Sequence, residues 1–562
     1  MSSLRLALAQ LNLTVGDLDG NADRIADAVH RARAWMADLV AVPELAIPGY
    51  PPEDLLLKSG FVAANRRTLD RLAPRLAGVV ALVGFVDADQ AGRLYNAAAA
   101  VVGGRITAVY RKQYLPNYGV FDEQRYFTPG AGSLVLRVGG LSVGVTICED
   151  LWEEAPCRML RQAGAGLVVN LSASPYHAGK GREREALFSR RARRNRLAVA
   201  YCNLVGGQDE LVFDGASVML DAGGCVFARG AQFREDLVLA DVPAVAALAR
   251  PGRRVAVATV PRPLPVRAPL PAAPATLLPA VEEVYEALQL GVRDYARKNG
   301  FHAAVLGLSG GIDSALTACL ATDALGPDHV VGMVMPSRYS SAGTQEDARR
   351  VGRALGIQLH ELGIEPVFEA CLRVLRLLFA GRPADIAEQN LQARIRGNLL
   401  MALSNKFGWL VLTTGNKSEM ATGYCTLYGD MAGGFAVIKD VPKTLVYRLA
   451  RFRNRRGPGA PIPPRVLRRA PTAELAPGQT DQDTLPPYDI LDRILKAYVE
   501  DDRSLSQILA ANRVRPETVA RVIRMVDRSE YKRRQGPPGI KITPKAFGRD
   551  RRMPITNRYQ QG

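Results

Sequence analysis

The sequence predicts two α/β domains: first a layered α/β domain, then a doubly wound domain built on a parallel sheet. Its 562 residues exceed what one hydrophobic core usually organises, so two domains are expected. Short β-branched runs alternate with helical stretches in both halves, as in layered α/β proteins. Between the halves, residues 243–279 are dense in proline and alanine, which favours extended chain. We therefore expect domains at residues 1–242 and 280–562, with an interdomain connector at residues 243–279.

The composition is that of a soluble globular protein, with 48% hydrophobic and 23% charged residues. No stretch is apolar enough to span a membrane, and the N-terminus lacks the layout of a signal peptide. The seven cysteines are scattered and form no CxxC pair. That pattern argues against a disulfide framework and against a structural zinc site. We expect a cytoplasmic protein.

The formal charge of +18 is compatible with two kinds of partner, nucleic acid and anionic small molecules. Basic residues are spread along the chain, with short arginine-rich runs at residues 190–196, 451–456 and 549–552. No basic tract is interleaved with aromatic residues. We favour a solvated, arginine-rich surface, and we expect neither a nucleic-acid partner nor a membrane partner.

The first half shows the alternation of strands and helices that layered α/β domains require. A helical pattern covers residues 22–37. Strands are expected at residues 4–13, 39–42, 79–86, 98–102, 141–148, 167–171 and 197–201.

Cys148 ends one of these predicted strands. Alternation with a period of two places residues 141, 143, 145 and 147 on one face and Cys148 on the other, at the end of the strand. Side chains at strand ends reach clefts, so Cys148 is a candidate nucleophile. The alternative is an inert buried cysteine.

Two routes could activate a Cys148 thiol. A cysteine–histidine pair is one, and among five histidines His177 has the most promising position. The other uses Glu44, after the strand at 39–42, and Lys112, in the segment AVYRKQYLPNYGVFDE. A glutamate can take the thiol proton, and a lysine cation favours thiolate and steadies a developing oxyanion.

The second half repeats a β–α–β rhythm. A helix with one apolar face opens it near residue 281. Strands are expected at residues 303–308, 330–335 and 409–413, with helices at 314–324 and 385–404. Strands separated by helices of this length indicate a parallel, doubly wound sheet.

The segment Ser309-Gly310-Gly311-Ile312-Asp313-Ser314 lies between a predicted strand and a predicted helix. Glycines let backbone amides approach an anion, and the start of a helix adds unpaired N–H groups and a positive dipole end. The segment lacks the lysine of a Walker A motif and suits chemistry in which pyrophosphate leaves. Asp313 could hold Mg²⁺ on the phosphates.

A second cluster follows the strand at 409–413. Thr414, Lys417 and Glu419 lie just beyond its carboxyl end, where open α/β sheets bind ligands. Glu419 could be a second ligand of Mg²⁺.

These motifs together resemble a known family. Glu44 in VPELAIPGYPPED, Lys112 in YRKQYLPNYGVFDE and Cys148 in CEDLW are similar to the Glu-Lys-Cys triad of the nitrilase superfamily. LSGGIDSAL resembles the nucleotide loop of PP-loop ATP pyrophosphatases. The combination resembles the glutamine-dependent NAD(+) synthetases over nearly the whole length. That resemblance implies a nitrilase-like αββα sandwich, followed by a PP-loop domain with a doubly wound parallel sheet and a C-terminal extension.

The resemblance also implies a reaction. The nicotinate carboxylate of deamido-NAD would be adenylylated by ATP with loss of pyrophosphate, and ammonia from glutamine would displace AMP. Glu44 would be the base, Lys112 its electrostatic partner and Cys148 the nucleophile. Mg²⁺ is the implied cofactor, ATP a co-substrate, and a homo-oligomer the implied assembly.

Binding residues follow from the same resemblance. Glutamine would be held by Tyr118, Ser174 and Lys180. Mg²⁺ would be held near Asp313 and Glu419. Deamido-NAD would be contacted by Asn390, Glu419 and Lys532. The ATP site would comprise Gly307, Leu308, Ser309, Gly310, Gly311, Ile312, Asp313, Ser314 and Thr414.

Three alternatives stay open at this point. The first is another PP-loop amidotransferase with a different acceptor. The second is a PP-loop protein that modifies tRNA, suggested by the basic charge. The third is a plain amidase with a degenerate second domain.

Overall fold

The computed structural model describes residues 3–139, 141–243, 255–260, 267, 270, 274–457, 459–511 and 514–559. The chain divides into two compact units. The first comprises residues 1–208 and 212–278, and the second comprises residues 209–211 and 279–562. Among the described residues, no helix combines the length and the apolar character needed to cross a membrane.

Two large sheets and one two-stranded sheet form the first unit. Its helices are α1 (Leu18–Ala34), α2 (Ser59–Leu72), α3 (Glu154–Gln162) and α4 (Lys180–Asn195). Its strands are β1 (Ser3–Gln10), β2 (Leu39–Ala41), β3 (Val80–Ala88), β4 (Leu94–Val102), β5 (Arg105–Arg111), β6 (Ser133–Val138), β7 (Leu141–Ile147), β8 (Leu167–Ser172), β9 (Ala198–Asn203), β10 (Val205–Gln208), β11 (Leu211–Asp214), β12 (Val218–Leu220), β13 (Val226–Arg229), β14 (Asp236–Pro243) and β15 (Val255–Val260). One sheet has the order β14-β1-β2-β3-β4-β5, and the other has the order β13-β12-β9-β8-β7-β6-β15.

The two sheets pack face to face. Leu6 and Leu82 of the first sheet belong to the same cluster of buried side chains as Val145 and Val169 of the second. Helices cover the outer faces: α1 and α2 pack on the first sheet, and α3 and α4 pack on the second through residues such as Leu160. This helix–sheet–sheet–helix order confirms the predicted αββα sandwich. It also explains the continuous apolar runs, because strands buried on both faces need no polar alternation.

Much of the predicted connector, residues 243–279, lies outside the described residues. Its described part includes β15, which pairs in parallel with β6 from Val255↔Ser133 to Val260↔Val138. That segment therefore extends the second sheet of the first unit.

The second unit is built on one five-stranded sheet. Its strands are β16 (Ala304–Gly307), β17 (Val330–Val334), β18 (Gln358–Glu361), β19 (Leu410–Thr413) and β20 (Phe435–Ala436). Its helices are α5 (Ala280–Lys298), α6 (Ile312–Leu325), α7 (Ala342–Leu355), α8 (Glu365–Leu375), α9 (Ile386–Phe407), α10 (Lys417–Thr422), α11 (Lys443–Arg456), α12 (Pro464–Arg468), α13 (Tyr488–Leu495), α14 (Leu505–Ala511), α15 (Pro516–Arg528) and α16 (Glu530–Arg533).

All pairings in this sheet are parallel, in the order β18-β17-β16-β19-β20. The chain runs outward from β16 through β17 to β18, then returns to the other side of β16. Because parallel crossovers are right-handed, this reversal puts helices on both faces and confirms the doubly wound class. It also opens a crevice at the carboxyl ends of β16 and β19, where such sheets bind ligands.

Candidate active sites

In the first unit, Glu44, Lys112 and Cys148 converge at the carboxyl ends of three strands. Glu44 follows β2, Lys112 follows β5 and Cys148 follows β7. The Lys112 Nζ donates to Glu44 Oε1 at 2.7 Å. All three side chains are buried, with at most 3% exposed. The two packed sheets thus bring together residues that lie far apart in the sequence.

The Glu44 carboxylate is held by two further donors. Asn96 Nδ2 donates to Oε1 at 2.7 Å, and the backbone N–H of Ala173 donates to Oε2 at 3.0 Å. Bonds to both oxygens fix the orientation of the buried carboxylate. A carboxylate held in a fixed orientation can serve as a general base.

A second carboxylate, Glu123, was not predicted from the sequence. The Lys112 Nζ donates to both of its oxygens at 2.9 Å, and the Tyr50 hydroxyl donates to it at 3.2 Å. Burial raises the pKa of Glu123 to about 7, and Glu44 adds to the rise while Lys112 opposes it. Its only signal in the sequence was its place eleven residues after Lys112 in the same loop segment.

Cys148 lies just beyond β7, as the first residue of the 3₁₀ helix Cys148–Leu151, with φ of +40°. This left-handed conformation turns the side chain. Cys148 therefore joins the buried cluster of Val145 and Ile147 rather than lying on the opposite face, so the prediction from strand alternation was wrong. Burial raises the pKa of its thiol well above the usual value, and the Glu44 charge adds to this, while Lys112 and a hydrogen bond with Ser172 oppose it. The resting group is a neutral thiol.

The residues predicted to bind glutamine lie around this centre. The Tyr118 hydroxyl donates to Glu149 Oε1 at 3.0 Å, and Glu149 is the neighbour of Cys148. Lys180 begins α4, and its Nζ lies 4.2 Å from the centre of the Trp152 ring. Ser174 is buried two residues beyond β8. Glu149 had no role in the sequence prediction, and only its adjacency to Cys148 pointed to it.

His177 contacts Glu183 and the backbone of Ala178. Its Nε2 is 3.7 Å from Glu183 Oε2, and its Nδ1 is 3.3 Å from the Ala178 carbonyl. The charges of Glu44 and Lys112 both act on the Cys148 thiol, which favours the predicted route through a carboxylate and an ammonium.

In the second unit, a cleft opens at the carboxyl ends of β16, β17 and β19. All eight residues from Gly307 to Ser314 line it, as do Thr414 and Glu419. Gly310 has φ of +77°, and a Cβ there would lie 2.0 Å from the Thr344 carbonyl oxygen. Only glycine fits this turn, which leads directly into α6 at Ile312. The predicted anion loop is thus present at the start of a helix.

Two carboxylates in this cleft face one ammonium group. The Lys443 Nζ donates to Asp313 Oδ2 at 2.5 Å and to Glu419 Oε1 at 3.2 Å. Burial raises the pKa of Glu419 to about 8, and the charge of Asp313 adds to the rise while Lys443 opposes it. The described residues include no cluster of three or more His, Cys, Asp or Glu side chains around a metal position. Two carboxylates around one cation nevertheless form an oxygen donor set that suits Mg²⁺ bound to phosphates.

The remaining predicted residues divide into two groups. Asn390 and Lys532 do not line the cleft directly. Asn390 Oδ1 accepts from the hydroxyl of Thr426, which lines it, and Lys532 donates to the carbonyls of Gly423 and Cys425. Both therefore hold the same loop at the cleft wall.

Lys417 points away from the cleft. Its buried ammonium pairs with Glu500 at 2.7 Å and with Asp440 at 2.9 Å. Although it follows β19, it belongs to an internal ion-pair cluster.

Several cleft residues were not predicted. Arg396, Arg469, Lys443 and Asp481 all line it, and they come from segments far apart in the sequence. Burial lowers the pKa of Arg396 to about 10, which still leaves the group cationic at neutral pH. Because these charged groups come from distant segments, only the fold reveals that they converge.

Family models match both units. A carbon-nitrogen hydrolase model matches residues 5–250, and an NAD synthase model matches residues 284–536. The matched ranges contain the Cys148 centre and the nucleotide cleft, respectively.

Two relatives of similar length are both glutamine-dependent NAD(+) synthetases. The glutamine-dependent NAD(+) synthetase of Thermotoga maritima is 50% identical over 100% of both chains, and that of Xanthomonas campestris is 48% identical over 99% of this chain and 98% of its own. The solved structure of the Acinetobacter baumannii glutamine-dependent NAD+ synthetase in complex with ADP is 41% identical, covers 100% of both chains and has a TM-score of 0.77. These matches confirm the resemblance found in the motifs. The chain belongs to the glutamine-dependent NAD(+) synthetases, a family of amide-forming ligases.

Proposed function

We propose that this enzyme amidates deamido-NAD to NAD, the last step of NAD biosynthesis, with ammonia that its first unit releases from glutamine. The observation that carries the proposal is the presence of two separate reaction centres in one chain. One is a buried thiol beside a glutamate–lysine pair, and the other is an anion loop beside two carboxylates.

Glutamine hydrolysis begins with the Cys148 thiol. As glutamine enters, Glu44 takes the thiol proton and the sulfur attacks the side-chain amide carbon. Lys112 steadies the negative charge that develops on the amide oxygen. Glu44 returns the proton to the leaving nitrogen, ammonia departs and a glutamyl thioester remains. Water then hydrolyses the thioester, and glutamate leaves with the thiol restored.

Recognition of glutamine is assigned to Tyr118, Ser174 and Lys180. Glutamine carries both an α-ammonium and an α-carboxylate. Glu149, which accepts from Tyr118, offers a carboxylate for the former, and Lys180 offers a cation for the latter. Burial lowers the pKa of Lys180, and Arg184 adds to the decrease while Glu183 opposes it. An incoming carboxylate would restore that pKa and strengthen the contact.

Amide synthesis is assigned to the second unit. The nicotinate carboxylate attacks the α-phosphorus of ATP, pyrophosphate leaves and an acyl adenylate forms. The loop from Gly307 to Ser314, with Thr414, binds the nucleotide, and its backbone N–H groups hold the departing pyrophosphate. Ammonia then attacks the acyl carbon and AMP leaves. Asn390, Glu419 and Lys532 are assigned to deamido-NAD.

Asp313 and Glu419 are the residues that would hold Mg²⁺. When bound, the ion supplies positive charge to the phosphate oxygens. Lys443 also provides a cation at this place, and its ammonium pairs with both carboxylates. With nucleotide present, the same ammonium is in reach to pair with phosphate oxygens instead.

The test is NAD formation by the purified enzyme with ATP, Mg²⁺ and deamido-NAD, run with glutamine and separately with ammonium. We expect product from both nitrogen sources, with one AMP and one pyrophosphate per NAD. Product from neither source, in folded protein, would contradict the proposal and direct the search to other adenylylated acceptors.

A further inference from the structure

Asp150 is a fully buried carboxylate in the first unit, and the reaction proposed above gives it no role. It lies two residues after Cys148, in the 3₁₀ helix Cys148–Leu151. Burying a carboxylate is costly unless its oxygens find partners, so each partner of this side chain needs to be accounted for.

One oxygen of Asp150 holds the segment that carries the thiol. Oδ2 accepts from the backbone N–H of Ile147 at 3.0 Å, so this bond closes a short loop around Cys148. β7 ends at Ile147, and Cys148 has the left-handed φ of +40° described above. Such a conformation is unfavourable for a residue with a Cβ and persists where neighbouring contacts fix it. The bond from Ile147 to Asp150 is one of those contacts.

The other oxygen of Asp150 holds the segment that carries the ammonium group. β5 ends just before Lys112, whose N–H still donates to the Asn96 carbonyl of β4 at 2.8 Å. The next two N–H groups, those of Gln113 and Tyr114, each donate to Asp150 Oδ1 at 3.0 Å. The backbone that follows Lys112 therefore depends on the same carboxylate as the backbone around Cys148.

Tyr110 supplies the fourth donor to Asp150. Its hydroxyl donates to Oδ2 at 2.7 Å and accepts from Gln113 Nε2 at 3.1 Å. Tyr110 lies in β5, two residues before Lys112, and its side chain is buried. A carboxylate offers about four acceptor positions, and four donors fill them here. Asp150 thus links the strand end of the candidate nucleophile to the strand end of the lysine.

We propose that Asp150 is a positioning residue that sets the placement of the Cys148 sulfur relative to the Lys112 ammonium group, and that Tyr110 holds its carboxylate in place. The inference rests on the proposed function, in which Cys148 is the nucleophile and Lys112 steadies the developing oxyanion. That stabilisation depends on geometry, because a displacement of about 1 Å can lower a rate by roughly a hundredfold. Asp150 acts through the two backbone segments that it binds.

The principal test is Asp150→Asn in the full-length enzyme. The amide keeps one oxygen for two of the four donors, and its NH2 group faces the other two. The Tyr110 hydroxyl can rotate to accept from this NH2 group, but a backbone N–H cannot, so at least one main-chain bond is lost. We expect kcat for glutamine hydrolysis to fall by about tenfold to a hundredfold while KM changes little. Synthesis from ammonium should be unchanged.

Tyr110→Phe is a milder second variant. It removes one hydroxyl and keeps the Asp150 carboxylate with its three backbone bonds, so it decides the question even if Asp150→Asn does not fold. We expect a smaller fall in kcat, again with KM little changed. Unaltered hydrolysis in the folded variants would overturn the proposal. A raised KM at unchanged kcat would also overturn it, since Asp150 would then shape the binding of glutamine instead.

Asp38→Asn is the matched control. Asp38 is also fully buried in the first unit, and its Oδ2 accepts from the Arg5 N–H at 2.8 Å. It lies just before β2, at the opposite end of that strand from Glu44. We expect Asp38→Asn to lower the melting temperature and to leave kcat for glutamine hydrolysis unchanged. Equal losses of kcat in Asp38→Asn and Asp150→Asn would indicate general instability and would overturn the proposal.

The outcomes also distinguish this proposal from the proposed function. Unaltered hydrolysis in Asp150→Asn and Tyr110→Phe overturns the positioning role but leaves Cys148 as the nucleophile. If a Cys148→Ala enzyme still hydrolysed glutamine, the proposed function itself would fail, and the positioning role with it.

Discussion

At the scale of single residues, the candidate site beside Cys148 contains a buried ionic triplet inside a hydrophobic sandwich. Lys112 holds two carboxylates, Glu44 and Glu123, and none of the three side chains is more than 6% exposed. Burying charges is unfavourable unless they are paired and hydrogen-bonded, and this triplet carries one more carboxylate than ammonium. The excess explains why Glu123, the carboxylate without backbone donors, has a pKa that burial raises to about 7.

This raised pKa predicts a specific pH dependence of stability. The folded protein holds the Glu123 proton more tightly than the unfolded chain, in which the ordinary pKa is 4.5. The contribution of Glu123 to stability is therefore full below about pH 4.5 and is lost as the pH rises through about 7. We expect the stability of the unaltered enzyme relative to Glu123→Gln to fall across this window and then level off.

Tryptophan fluorescence during urea unfolding can measure the free energy of unfolding of each protein at each pH. In a Trp409→Phe background, the two remaining tryptophans, Trp35 and Trp152, both lie in the first unit, so the signal follows that unit alone. The comparison is between the unaltered enzyme and Glu123→Gln. If the difference between their free energies of unfolding stays constant from about pH 4.5 to about pH 7, the raised pKa of Glu123 is contradicted.

At the scale of elements, the strand–loop–helix from β16 to α6 could be predicted almost completely. Its glycines, serine and aspartate are contiguous, so local chemistry identifies an anion loop without knowledge of the fold. The opposite wall could not be predicted. Arg469 and Asp481 lie more than 150 residues after the anion loop in the sequence, and only the folded chain brings them into the same cleft. The same holds for Glu123, which is placed by the packing of one loop.

Gly310 gives a prediction about this loop. Gly310→Ala places a residue with a Cβ in a left-handed conformation. The new Cβ would also lie only 2.0 Å from the Thr344 carbonyl oxygen. The left-handed conformation alone costs roughly 1–2 kcal/mol for a residue with a Cβ. We expect a lower melting temperature and loss of synthesis from ammonium as well as from glutamine, because the loop cannot keep its shape.

Gly300→Ala is the matched control. Gly300 has φ of +76°, nearly the same as Gly310, but a Cβ there meets nothing within 4 Å. It should show the lower melting temperature while ammonium-dependent synthesis is retained. If both variants lost synthesis equally, the backbone strain and not the contact with Thr344 would be responsible.

At the scale of the whole molecule, two separate chemistries share one chain. Each unit has its own core and its own candidate site. Membership of the family decides against a plain amidase and against a tRNA-modifying protein. The sequence predicted this division because each centre carries a local motif. It did not predict β15 within the proline-rich segment, because the pairing of β15 with β6 depends on a partner more than a hundred residues away.

If the two centres are separate, substitutions at Cys148 and at Asp313 should abolish different reactions. Cys148→Ala should reduce glutamine-dependent synthesis by about a thousandfold or more and spare synthesis from ammonium. Asp313→Asn should abolish synthesis from either source, since activation of the acceptor fails, yet leave some glutamine hydrolysis. The measurements are NAD and glutamate release for each variant with each nitrogen source. Loss of the ammonium reaction in folded Cys148→Ala enzyme would show that the two chemistries are not separable in this way.

The left-handed φ of Cys148 means that the side chain needed for activity lowers the stability of the folded protein. At +40°, the residue adopts a conformation that glycine adopts freely and that a residue with a Cβ resists. Cys148→Gly and Cys148→Ala both remove the sulfur, so neither variant is active. The difference between their free energies of unfolding therefore measures only the effect of the Cβ at residue 148. We expect the glycine variant to be more stable than the alanine variant by about 1 kcal/mol, measured by unfolding of the first unit. Selection for a nucleophile thus keeps cysteine at position 148, although glycine would make the folded protein more stable. In natural relatives that have lost the activity, we expect this position to be replaced by glycine.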